Sequence, residues 1–154
     1  MQYWLMKSEP TSYSIDDLAR DKKTFWSGVR NYQARNFMRD QMKKGDLVLF
    51  YHSNADPSGI AGLAKICREG YPDFTAWDHR DKHFDPTSNP EDPTWFMVDL
   101  AFVKKFKKFV SLEDIKKNPK LKAMMVTKKG SRLSVQPVLK THFDIVCEMM
   151  ENRP

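Results

Sequence analysis

Trp26-Ser-Gly-Val-Arg-Asn-Tyr-Gln-Ala-Arg-Asn36 gathers two aromatic rings, two guanidiniums and four uncharged hydrogen-bonding side chains into eleven residues. Ala34, Phe37 and Met38 recur at helical spacing from Asn31 onward, so a helix starts inside the stretch. Asn31 suits the cap of that helix as well as a site. A generic surface helix would carry Lys and Glu, yet no acid appears before Asp40. Flat rings, forked donors and amides suit a flat, polar ligand with several hydrogen-bonding edges, such as a nucleobase. The stretch reads as a helix entrance equipped as a binding site.

Upstream, residues 2–7 read as a buried strand ended by Pro10, and Ser14 caps a helix that carries Asp16 and Asp17 in its first turn and runs to about Lys22. Downstream, Lys43-Lys-Gly45 closes the central helix, and strands follow at 46–52 and 60–67 around a turn-rich loop. Gly62, between Ala61 and Ala64, leaves little bulk on the second of these strands. Residues 70–94, with Pro72, Pro86, Pro90 and Pro93, read as a long proline-stiffened excursion. A strand over 95–103 is apolar on both faces except at Asp99. Ser111 caps a short helix broken at Asn118-Pro119, residues 121–126 add another, 132–137 form a short strand, and Thr141 caps a terminal helix. Strands outnumber long helices, and no βαβ alternation, repeat or linker appears. The expectation is one α+β domain over 1–154, a mixed β-barrel with peripheral short helices.

The 154 residues carry a net charge of +6 and a pI near 9.3. Lys104, Lys105, Lys107 and Lys108 cluster around Phe106, and Lys116, Lys117, Lys120, Lys122, Lys128 and Lys129 follow. Such a surface either keeps the protein soluble or tracks phosphates. No apolar run is long enough to span a membrane, and the N-terminus lacks the pattern of a secretory signal. Cys67 and Cys147 are too far apart for a metal knuckle and fit a reducing interior as small packing groups. The expected location is cytoplasmic, or nuclear in a eukaryote.

Six segments together resemble the EVE-domain family: Tyr3-Trp-Leu-Met-Lys-Ser-Glu-Pro10, Trp26 to Asn36, Phe50-Tyr-His-Ser-Asn54, Gly59-Ile-Ala-Gly62, Tyr71-Pro-Asp-Phe-Thr-Ala-Trp77 and Arg132-Leu-Ser-Val-Gln-Pro137. The family usually has Asp after the first motif tryptophan, where this chain has Ser27. The resemblance implies a PUA-like β-barrel, a cousin of the YTH domain that reads methylated adenine in RNA. In that cousin a Lys-Ser at a strand end and a Trp-Ser before a helix help to build an aromatic cage; Lys7-Ser8 and Trp26-Ser27 are similar in place. Relatives are associated with modified bases, modified cytosine in DNA above all, so the resemblance implies recognition of nucleic acid carrying a modified base.

The candidate site follows. Trp26 makes one wall, with Trp77 or Tyr32 as the second, although Trp26 reads also as a packing staple before the helix and Tyr32 equally as core. Asn31, Ser27, Ser53 and Gln136 meet ring edges; Arg30, Arg35, Lys7 and Arg132 meet flanking phosphates. Ser8, Tyr51, His52 and Ser134 complete the set. Tyr51 reads equally as core, and His52 and Ser53 read equally as turn-shaping residues. Trp4 and Trp95 read as core. His79 and His83, among Asp78, Asp81 and Asp85, read as a solvated loop rather than a metal site. No cofactor is expected. The competing class is an enzyme acting on modified nucleosides, with Lys7, Glu9, Tyr51 and His52 available for acid–base work. Zinc-deaminase, nucleophile-elbow and phosphate-loop signatures are all missing from the sequence. An RNA reader is the third reading.

Overall fold

The computed structural model describes residues 1–129 and 132–152. Strands β1 (Tyr3–Ser8), β2 (Lys23–Phe25), β3 (Leu47–His52), β4 (Gly59–Pro72), β5 (Phe96–Ser111) and β6 (Val135–Val138) form a mixed sheet in the order β2-β5-β4-β3-β1-β6. β1 pairs in parallel with β3, Lys7 beside Tyr51, while the other ladders are antiparallel. The expected barrel is corrected to an open sheet, because β2 and β6 are its two edges and do not pair with each other. β2 has only three residues and β6 only four, and Pro137 has no N–H to offer a neighbour.

Each central strand feeds two cores. Trp4, Met6, Val48, Phe50, Ala64 and Ile66 point to one face, and Leu5, Leu49, Tyr51 and Leu63 to the other. That two-sided burial explains why β1 and β3 read as continuous apolar runs. Helices α1 (Ile15–Asp21) and α2 (Tyr32–Asn36), the latter running on into a π-helical turn over Phe37–Gln41, lie with the first core. Helices α3 (Leu112–Lys117) and α4 (Lys140–Asn152) close the second.

The caps are local and follow the sequence. Ser14 and Asp17 form a reciprocal capping box, and the Asn31 and Ser111 side chains accept from the amides of Ala34 and Asp114. Thr141 is not a cap: α4 begins one residue earlier, at Lys140, and the Phe143 amide already donates to the Leu139 carbonyl. The strand read over 95–103 continues to Ser111 through the lysine cluster, because Phe106, flanked by lysines, and Val110 beyond them keep pointing into the second core. Asp99, the polar exception, accepts from the Tyr71 hydroxyl at 2.5 Å. Burial, reinforced by this carboxylate, pushes the Tyr71 pKa up to about 12.

A buried carboxylate ties the first core to its edge. Asp46 accepts from the Trp4 indole at 3.1 Å and from the amides of Gln2 and Lys43 at 3.1 and 3.0 Å. The turn entering β3 is thereby fixed to β1.

Candidate functional site

At the β1 end of the first core, the segment 24–30 and the loop around His83 border a half-open hollow of about 530 Å³. It is lined by Lys7, Ser8, Glu9, Ser12, Tyr13, Thr24, Phe25, Trp26, Ser27, Gly28, Val29, Arg30, Lys82, His83 and Ser134. Its size falls within the range of about 300–1,000 Å³ usual for small-ligand sites.

The backbone of β1 and β2 sets the frame. The Trp26 amide donates to the Val98 carbonyl at 2.8 Å, extending the β2–β5 ladder into the motif. The Trp26 indole packs edge-on against Phe50 with centroids 5.5 Å apart and is 9% exposed. Beside it, Phe25 is largely exposed and touches Phe74 at a ring distance of 5.2 Å. On the opposite side the Lys7 amide donates to the Ser134 carbonyl, and the Ser8 hydroxyl donates to the Tyr13 carbonyl at 2.7 Å. The Lys7 ammonium lies 5.7 Å from the Tyr51 ring centroid, and burial lowers its pKa.

Gly28 and Arg30 are held by a third residue, Asp73, whose side chain is fully buried. One carboxylate oxygen accepts from the Gly28 amide at 2.8 Å and from Arg30 Nη1 at 3.0 Å; the other accepts from the Thr75 amide and hydroxyl at 2.9 and 2.6 Å. Burial alone would raise the carboxyl's pKa, but the Thr75 hydroxyl, the Gly28 amide and the Arg30 guanidinium together bring it below the ordinary value. Arg30 also donates from Nε and Nη2 to the His83 carbonyl at 3.0 and 2.7 Å, stitching the proline-rich excursion to the motif. Gly28 has φ +85°, and a Cβ there would fall 2.5 Å from the His83 imidazole. Only glycine permits that approach with that backbone.

Of the sequence candidates, Lys7, Ser8, Trp26, Ser27, Arg30 and Ser134 line the hollow, and the others lie outside its lining. Asn31 caps α2, and Tyr32 stacks outside on Trp95. Arg35 donates to the Thr94 carbonyl at 2.8 Å. Tyr51 belongs to the second core. His52 Nε2 accepts from the Ile15 amide at 3.1 Å, and burial lowers its pKa, in keeping with a neutral ring. The Ser53 amide donates to the Ser8 carbonyl, the Trp77 indole to Ser88, and the buried Gln136 amide to the Leu133 carbonyl. Arg132 is exposed.

Sequence reasoning missed Asp73, Tyr13, Phe25, Lys82 and His83. Asp73 and His83 come from the excursion, where each acid or histidine looks solvated because its partner is distant: Asp73 and Arg30 are 43 residues apart. A buried-type Asp inside the apolar Tyr71 to Trp77 segment was the available signal.

The arrangement offers three aromatic side chains, Tyr13, Phe25 and Trp26, with Lys7 and Lys82 outnumbering Glu9 while Arg30 is neutralised by Asp73. That suits a flat, partly apolar ligand joined to an anion. Among the described residues no helix is long and apolar enough to cross a membrane.

Comparison with known proteins bears on this geometry. The family model for the EVE domain matches residues 2–149. Thymocyte nuclear protein 1 of Mus musculus is 45% identical over 171 aligned residues, covering 99% of this chain and 75% of the relative. The crystal structure of human THYN1 protein in complex with 5-methylcytosine-containing DNA superposes with a TM-score of 0.93 at 42% identity, covering 100% of both chains. A YTH domain of Zygosaccharomyces rouxii, 12% identical, superposes with a TM-score of 0.55 over 99% of this chain and 88% of that one, a likeness of fold alone.

Proposed function

The chain belongs to the EVE-domain family, and we propose that it binds nucleic acid by enclosing one modified base, 5-methylcytosine in DNA foremost, in the hollow beside Trp26. The observation that carries this reading is the hollow's combination of aromatic lining and positive charge in a fold shared with a DNA-bound relative. The family match over 2–149 supports treating 1–154 as one domain.

Physically, the site must do two things. Extruding a base costs a few kcal/mol, and stacking at about 1–3 kcal/mol per aromatic contact offsets this. Trp26 forms one wall, with Phe25 beside it and Tyr13 as the further aromatic of the lining. Ser8, Ser27 and Ser134 present hydroxyls to the ring edge, while Lys7 and Lys82 meet the strand's phosphates. Arg30, expected from the sequence as a phosphate contact, instead spends its N–H groups on Asp73, Thr75 and the Val29 and His83 carbonyls. Enclosure also lets the protein sense the substituent. One buried methyl group contributes about 0.8 kcal/mol, a several-fold preference over the unmodified base. The relatives' name, thymocyte nuclear protein, supports a nuclear location and lends nothing to the cytoplasmic one expected from the sequence.

Isothermal titration with matched oligonucleotides tests the reading. Methylated DNA is expected to bind several-fold more tightly than plain DNA, with no product formed on incubation. Equal binding of both, or tighter binding of a methylated RNA, removes the DNA-reader assignment, and turnover of the base replaces it with an enzyme.

A further inference from the structure

Outside the hollow, Tyr32 opens α2 and is 62% exposed. Its ring stacks on Trp95 with centroids 5.1 Å apart and planes 24° from parallel. Trp95 is itself buried and locked, its indole donating to Asp85 at 2.6 Å. The Arg35 guanidinium lies 5.0 Å from the Tyr32 centroid, and the Arg30 guanidinium lies 5.4 Å from Trp95. Arg30 therefore belongs both to the lining of the hollow and to this stack, which makes the two features contiguous.

The charge is distinctive. Nearby carboxylates make their direct contacts with other groups than Arg35: Asp73 with Arg30, Asp85 with Trp95 and Thr87, and Asp40 with Arg39, although Asp40 also feels the Arg35 charge at longer range. Arg35 makes no ion pair among the described residues and is positioned instead by neutral oxygens, Asn36 Oδ1 at 3.0 Å and the Thr94 carbonyl at 2.8 Å. An exposed tyrosine on a fixed tryptophan, beside a guanidinium that no carboxylate contacts directly among the described residues, is the equipment of a base-stacking platform with a phosphate contact. A protein partner would leave that cation to be matched by an acid, whereas a strand supplies the ring and the anion together.

We propose that Tyr32, backed by Trp95 and flanked by Arg35, stacks the nucleobase adjacent to the one enclosed beside Trp26. The proposal rests on the nucleic-acid reading of the hollow. It makes the recognised unit at least a dinucleotide: one base is enclosed for identity, and its neighbour is stacked for grip without regard to sequence.

Fluorescence anisotropy with single-stranded oligonucleotides tests this, each made with a methylated or plain central cytosine and with normal or abasic flanks. Tyr32→Ala is expected to weaken binding roughly tenfold on normal flanks, for methylated and plain strands alike. On strands abasic at both flanks its effect shrinks to less than about twofold. Tyr32→Phe retains binding, since the ring and not the hydroxyl is used. Thermal melts confirm that Tyr32→Ala stays folded, as its exposure implies. Undiminished affinity in Tyr32→Ala, or an equal loss on normal and abasic flanks, overturns the platform while leaving the hollow's role intact. Wild-type binding without preference for the methylated strand overturns the modified-base reading alone, and the flank comparison still decides the platform. A wild type that binds none of these strands overturns both.

Discussion

The first core packs Trp4, Trp26, Met38 and Phe50 and is bordered by two buried carboxylates, Asp46 and Asp73. The second packs Leu5, Leu49, Ile60 and Ile115 beneath α3 and α4, and no buried carboxylate borders it among the described residues. Helices can close an apolar face by area alone, because burial is non-directional and needs no particular partner. A face that must stay open at one end cannot rely on area. Its rim is irregular backbone with polar groups to satisfy, and a buried carboxylate that accepts from several donors does so with fixed geometry. Asp73 performs that task for the hollow, holding Gly28, Arg30 and Thr75 at once.

The difference can be broken from either side. Asp73→Ala leaves the part-buried Arg30 guanidinium without its carboxylate and should destabilise the protein by about 3–5 kcal/mol, with loss of methylated-DNA binding even at temperatures where it remains folded. Denaturant melts paired with titration check this; unchanged binding by the folded variant would mean that the rim does not depend on the anchor. Leu49→Ala opens a void in the other core and should cost about 2–5 kcal/mol, yet leave the folded protein's DNA affinity unaltered. The same paired measurement applies, and a large affinity loss would show that the two faces are mechanically coupled.

The smallest effect sharpens the comparison through acid. The Asp73 pKa is depressed in the folded state, so its stabilisation is fully present above the unfolded carboxyl value near 3.8 and is lost as pH falls through the lower folded value. The gap in melting temperature between wild type and Asp73→Asn should therefore be constant near neutrality and narrow below that value. A gap that widens in acid would contradict the assigned direction.

How much was legible beforehand follows the range of the interactions. The caps at Ser14, Asn31 and Ser111 were readable because each closes within three residues. The central strands were readable because both of their faces are buried. The extension of β5 was masked, since lysines on its exposed positions hid Phe106 and Val110 as an alternating inward pair. For the site, Lys7, Ser8, Trp26, Ser27, Arg30 and Ser134 were named from motifs and do line the hollow. The residues expected as a second wall do not line it: the Trp77 indole donates to Ser88 and the Tyr32 ring stacks on Trp95.

The sequence by itself determined the local code: which residues start helices, which strands are apolar on both sides, and that aromatic and guanidinium groups concentrate at 26–36. Tertiary structure alone decided which of those groups share a cavity, that the sheet remains open between β2 and β6, and that a proline-rich excursion supplies the anchor and one wall. The reason is physical. Hydrogen-bond caps and side-chain periodicity act over a few residues, whereas a carboxylate and a guanidinium 43 positions apart meet only after the chain has folded back on itself.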